Sequence, residues 1–172
     1  IDYLVKVYCK IQDWYNASLC LQKHQKITNT MDDHKVGLYK IQEGRILIKK
    51  NMFNEARGKF EQALDICNDL AAAYYFMGSS YSAESEVAYQ ESLKDKINID
   101  FDENEHDNDK LNDATLLLGK AIPMWVRFAD IKPKQAWMVI HLLKDALFAL
   151  DKYSEFEDIL KQITKNDGNN IE

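Results

Sequence analysis

The sequence predicts an all-α fold made of about four helical hairpins in series. Apolar residues recur at three- and four-residue spacing along nearly the whole chain, so each segment has one helical face to bury. Only 6 Gly and 2 Pro interrupt 172 residues that are 46% hydrophobic, which favours helices with short connections. One pattern of small and aromatic residues also returns: Ala56, Phe60 and Ala63 reappear as Ala114, Leu118 and Ala121, and Trp14…Ala17 repeats Phe53…Ala56. The length suits one domain, 1–165, followed by a polar tail, 166–172.

The first hairpin spans roughly 1–25. Leu4, Val5, Tyr8 and Ile11 share a face, Gln12-Asp13 makes the turn, and Trp14, Ala17 and Leu21 continue on a second helix. The polar stretch 26–34 follows, with Thr30 and Asp32 as candidate caps. The second hairpin, 36–67, is the clearest. Gly44 lacks the side chain that would hold a partner helix away, Asn51 tolerates the left-handed conformation that ends a helix, and Phe53, Ala56, Phe60 and Ala63 share one face. The third opens at Leu70, with Gly78 placed 34 residues after Gly44. Its second helix is delayed to 111–122, because Ala114 follows Ala56 by 58 residues. About 24 residues are therefore inserted, around 85–109; the first half suits a prolonged helix and the second half a mobile loop. Pro123 marks an irregularity, Trp125, Phe128 and Ile131 form an apolar ridge on an extra turn or a kinked extension beyond it, and Pro133 ends it. A fourth hairpin, 134–163, places Leu143, Leu147, Tyr153, Leu160 and Ile163 in core slots, with Lys144 and Phe156 where Gly and Ala are expected.

The turn-and-helix run from Asn51 to Leu64, with Met77-Gly78-x-x-Tyr81 in the next hairpin, resembles the tetratricopeptide repeat. This resemblance covers most of the chain outside the insertion. It implies a right-handed superhelical solenoid whose first helices line a concave groove, and a habit of binding other proteins. Residues beside the core slots then project into the groove: Lys6, Lys10, Arg45, Lys49, Tyr75, Ser79, Ser82, His141 and Asp145. An acidic or C-terminal peptide is the implied ligand, held by Lys6, Arg45 and Lys49 with Tyr75 as apolar anchor. The carboxylate clamp of the chaperone-binding branch is absent, since its places hold Asp2, Lys6, Leu38 and Ala72. The order of repeats and the ending at Tyr153 to Phe156 also resemble the repeat region of bacterial adaptors related to lipopolysaccharide assembly protein B, although this chain has neither their anchor nor their paired cysteines.

Other chemistry is poorly represented. Cys9, Cys20 and Cys67 include no close pair, so no disulfide framework or zinc site is expected, and each reads as a small buried hydrophobe. Asp100-x-Asp102-x-Asn104 begins like a calcium loop but has Glu105 where the turn glycine belongs and Leu111 in place of the closing Glu. His24, His34, His106 and His141 lack metal-site spacing, and no nucleophile–base or glycine-rich phosphate motif is present. We therefore expect no metal, no cofactor and no enzyme activity.

The formal charge of −6 comes from one segment: 84–113 holds eleven acids against three lysines. Bulk charge does not suggest nucleic-acid binding. The longest uncharged run, Leu70 to Ala83, is too short to cross a bilayer. The chain opens on Ile1, so an upstream signal or anchor stays open, with the cytoplasm the expected compartment. The alternative to a peptide-binding scaffold is a structural or oligomerising module, packing through the Trp125–Phe128 ridge or the first hairpin.

Overall fold

The computed structural model describes residues 2–27, 32–98 and 106–168. Among these run eight α-helices and no strand: α1 (Asp2–Lys10), α2 (Trp14–Ile27), α3 (Asp33–Lys49), α4 (Phe53–Ile66), α5 (Ala71–Asn98), α6 (His106–Ile131), α7 (Trp137–Ala149) and α8 (Tyr153–Gly168). A 3-10 turn, Pro133–Gln135, leads into α7. The chain divides into two compact units, Ile1–Phe76 and Met77–Glu172, with the boundary inside α5. The calcium-like run at 100–104 lies outside the described residues, as does Thr30.

Three of the helix-to-helix connections use the same device. Among the described residues, Gln12, Asn51 and Asp151 are the non-glycine residues with positive φ, at 61°, 59° and 56°. In each case the next N–H reaches five residues back, closing off the carbonyls that the helix end leaves unpaired. Asp13 donates to Tyr8 O at 2.9 Å, Met52 to Leu47 O at 3.0 Å and Lys152 to Leu147 O at 2.8 Å. An aromatic residue opens the following helix each time: Trp14, Phe53 or Tyr153. The sequence reading anticipated the left-handed residue at Asn51; the structure extends it to Gln12 and Asp151.

In the first unit, Val5, Ala17, Leu21, Tyr39 and Ile46 form one buried cluster, with Tyr8 and Cys20 packed against it. The α3–α4 pair is closer still. A Cβ on Gly44 would lie 2.4 Å from the Phe60 ring, so the glycine is what lets the ring rest on the α3 backbone. Phe60 is fully buried and stacks on Phe76 at 6.2 Å between centroids. Lys59 ties α4 to α3 through Glu43 at 2.9 Å. Asp32 caps α3 as expected, accepting from the His34 N–H at 2.8 Å. Asp13 caps α2 by accepting from the Asn16 N–H and side-chain amide, and these bonds hold its carboxyl below the usual carboxylate range.

The second unit corrects the sequence reading in three places. The α5 helix runs on to Asn98, so the first half of the insertion prolongs the helix as expected, whereas α6 starts at His106 rather than near 111. Ser85, buried, donates to the Ala114 carbonyl at 2.6 Å, so these two helices meet where the inserted region begins. Of the extra turn or extension expected beyond Pro123, the structure has the extension: α6 passes through Pro123 to Ile131. Pro123 is solvent-exposed, and its missing N–H deprives the Gly119 carbonyl of its helical donor on that outer side. Trp125 and Phe128, however, are no surface ridge but core, 1% and 4% exposed.

That burial resets the register of the third hairpin. A Cβ on Gly78 would come within 2.5 Å of Trp125 Nε1, so Trp125 sits on Gly78 as Phe60 sits on Gly44. Ala121, fully buried, then takes the place of Ala56, and Leu118 drops to a half-buried position. The structural counterpart of Phe60 lies seven residues beyond the one read from the sequence.

The last correction concerns the fourth hairpin. Leu143, Leu147 and Ile163 are buried as expected and Leu160 is half-buried, but Tyr153 is 52% exposed. It meets Phe148 edge-on at 4.8 Å, and Phe156 meets the same ring at 5.7 Å. The other hairpins have Ala17 or Ala56 at the place of Phe156; the larger side chain takes up room under the turn and leaves Tyr153 outside. The α7 helix starts at Trp137, after the 3-10 turn, and packs against α6 and α8.

Candidate partner-binding surface

In the first unit the exposed face of α3 carries Leu38, Gln42, Arg45 and Lys49, spaced four, three and four residues apart. Leu38, Arg45 and Lys49 are exposed and Gln42 half-buried. Arg45 is fixed from two sides. Its Nη1 donates to Gln42 Oε1 at 2.9 Å, and its guanidinium lies 4.6 Å from the centroid of the Phe76 ring. Phe76 in turn meets Tyr75 edge-on at 5.0 Å. Arg45, Phe76 and Tyr75 therefore form one cation–aromatic cluster, with Lys49 one turn further along α3.

Neither Arg45 nor Lys49 makes an ion pair with any described residue. The nearby cations on the same hairpin, Lys40 and Lys59, instead both pair with the one carboxylate of Glu43. Two cations at i and i+4, one of them held in orientation, can accept an anionic group; the half-buried aromatic pair beside them offers apolar area.

The remaining sequence-derived groove residues are placed as follows. Lys10 is exposed on the last turn of α1; Lys6 lies on the same helix, its side chain outside the described residues. No described contact joins either lysine to Arg45 or Tyr75. Ser79 and Ser82, both half-buried, lie on the part of α5 that belongs to the second unit. His141 and Asp145 are exposed and one turn apart on α7. The structure thus brings together Arg45, Lys49 and Tyr75 and adds Phe76, which the sequence reading missed. Its signal was present in the paired aromatics Tyr75-Phe76 following Phe60 by one hairpin helix.

The two cysteines whose side chains are described, Cys20 and Cys67, are not joined in a disulfide. Cys20 and Cys67 are half-buried rather than buried as expected; the side chain of Cys9 lies outside the described residues. The Cys67 thiol donates to Asp69 Oδ1 at 2.9 Å, and this bond pushes its pKa up, away from the thiolate a nucleophile needs. Among the described residues no three His, Cys, Asp or Glu side chains gather as a metal would require, and no helix is long and apolar enough to cross a membrane.

No protein-family model matches the chain, and neither does any curated protein or solved structure. The functional reading therefore rests on the residues themselves.

Proposed function

We propose that this chain is a non-catalytic interaction scaffold of tetratricopeptide-like hairpins that binds an acidic peptide or partner helix, in the cytoplasm. The observation that carries the reading is Arg45, held between Gln42 and the Phe76 ring and free of any carboxylate among the described residues. A guanidinium fixed in this way loses little side-chain entropy on binding, so more of its charge-assisted hydrogen bonding shows as affinity. Lys49 adds a second positive charge and Tyr75 an apolar contact. The repeated hairpin turn and the two glycine–aromatic contacts support the repeat architecture.

The experiment is an array of random ten-residue peptides probed with the labelled chain. Enrichment of Asp and Glu among the bound peptides, lost in Arg45→Glu, is the expected result. Binding with no acidic preference, or unchanged by Arg45→Glu, would overturn the reading.

A structural module remains the second reading, and one observation favours it. Tyr3, Leu4, Ile11 and Tyr15 of the first hairpin are 76%, 45%, 64% and 73% exposed. A surface of this kind suits packing against another protein segment.

A further inference from the structure

The α6 helix carries the two residue types least suited to a helix interior, Gly119 and Pro123, one turn apart. Packing asks for neither. Gly44 and Gly78 each make room for a ring, whereas a Cβ added at Gly119 would meet nothing within 4 Å. Pro123 is exposed. Both stand in the wall of one cleft, about 380 Å³ in volume, between α6 and the start of α8. That is the size of a site for a small molecule.

Three kinds of group meet in this cleft. Ile122, Val126 and Ile159 give it an apolar floor; Ile122 is 6% exposed and the other two are half-buried. The Gly119 carbonyl is an acceptor without its helical donor, because Pro123 has no N–H, and the absent Gly119 side chain leaves space beside it. Arg127 is the cation. It is exposed and has no hydrogen-bond or ion-pair partner among the described residues. Lys152, by contrast, is paired with Glu155 at 3.1 Å, and Asp130 accepts from Gln162 at 3.4 Å. Gly119, Pro123 and Arg127 follow one another at four-residue spacing and so form one row. Helix side chains lean toward the N-terminus, which carries the Arg127 head back toward the open carbonyl. With Asp130 and Glu155 also in the wall, the cleft suits one negative charge at Arg127 and disfavours two.

We propose that this cleft binds an N-acyl amino acid with an apolar side chain. The ligand N–H donates to the Gly119 carbonyl, the carboxylate takes Arg127, and the side chain covers Ile122, Val126 and Ile159. One such unit supplies the missing donor, the missing anion and the apolar contact together. Gly119 and Pro123 are then features of the site, kept at the expense of helix stability. The same chemistry is offered by a free N-acyl amino acid and by the C-terminal residue of a peptide. The cleft belongs to the second unit and does not use Arg45, so this inference stands apart from the peptide-binding reading.

Methyl NMR of the whole chain, labelled at isoleucine and titrated with N-acetyl-leucine, tests it. Saturable shifts of the Ile122 and Ile159 methyl signals are expected, with a dissociation constant on the order of 1 mM for a ligand this small. N-acetyl-leucine amide, which lacks the charge, should bind at least tenfold more weakly, and so should N-acetyl-leucine to Arg127→Ala. Pro123→Ala returns a donor to the Gly119 carbonyl, so it should melt higher and yet bind more weakly; a proline with only a structural role would not couple the two. Arg127 and Pro123 are both exposed, so these variants keep the fold, and their melting temperatures check that they do. A tripeptide ending in leucine separates the sources: tighter binding than N-acetyl-leucine assigns the site to a chain end, equal or weaker binding to the free compound. Absence of saturable shifts at Ile122 and Ile159 would overturn the proposal. So would an amide that binds as well as the acid, or an affinity that Arg127→Ala or Pro123→Ala leaves unchanged.

Discussion

Replacing Gly44 by Ala should destabilise the first unit, although alanine is the better helix former. Gly44 lies inside α3, where an alanine gains about 1 kcal/mol from reduced backbone entropy. Against that, the new methyl would stand 2.4, 2.7 and 2.9 Å from three carbons of the Phe60 ring. Phe60 is 0% exposed and stacked on Phe76, so the ring cannot turn aside without disturbing a packed neighbour. Overpacking of this kind costs about 1–3 kcal/mol, and two helices held apart cost at the upper end. The net expected loss is about 1–2 kcal/mol. Gly58 is the control: it is inside α4 with nothing within 4 Å of an added Cβ, so Gly58→Ala should stabilise by about 0.5–1 kcal/mol. Urea unfolding followed by circular dichroism measures both. A second step isolates the cause, since Gly44→Ala should cost less when Phe60 is already Leu. If Gly44→Ala matches Gly58→Ala in sign, the close approach of α3 and α4 is wrong.

Gly78→Leu should likewise destabilise by about 1–3 kcal/mol or more through Trp125, and a parent-like melt would contradict that contact. Deleting 31 residues from the α5–α6 extension should keep Trp125 on Gly78, whereas deleting 24 should present Leu118 there, two turns away, and melt lower. Equal melting would refute the reassigned register. Replacing Asp69 by Ala should speed alkylation of Cys67 at pH 8, read by mass spectrometry, because the hydrogen bond that raises the thiol pKa is gone. The Asp13 cap should stabilise the fold above the unfolded carboxyl pKa of about 3.9 and lose that effect as pH falls through its lowered folded value. Asp13→Asn should therefore melt with a smaller acid dependence below pH 4; an unchanged dependence would count against the cap.

What could be read from the sequence was local. Gly44, Asn51, Ala56 and Phe60 lie within one hairpin, and their spacing fixes which face they share and where the helix must end. The lengthened third hairpin is different. Its second helix carries Ala114, Leu118, Ala121, Trp125 and Phe128 on a continuous apolar stripe, and such a stripe looks alike after seven residues. Only the contact between Trp125 and Gly78 chooses between the two registers. Pro123 left open whether α6 would continue; it does, with Pro123 on the exposed side, where water can take the place of the donor that the Gly119 carbonyl loses. At the candidate surface, Arg45, Lys49 and Tyr75 follow from their offsets beside the core. Phe76 does not, because it contacts both Phe60 in the core and the exposed Arg45, and periodicity assigns a residue to one face only.

The most direct test of the peptide-binding surface is the affinity of the best acidic array peptide as a function of salt, for the parent chain and for Arg45→Glu with Lys49→Glu. The account predicts at least a tenfold loss at low salt in the variant, and for the parent an affinity that falls as salt screens the exposed cations. Affinity that neither the two substitutions nor salt alters would contradict it.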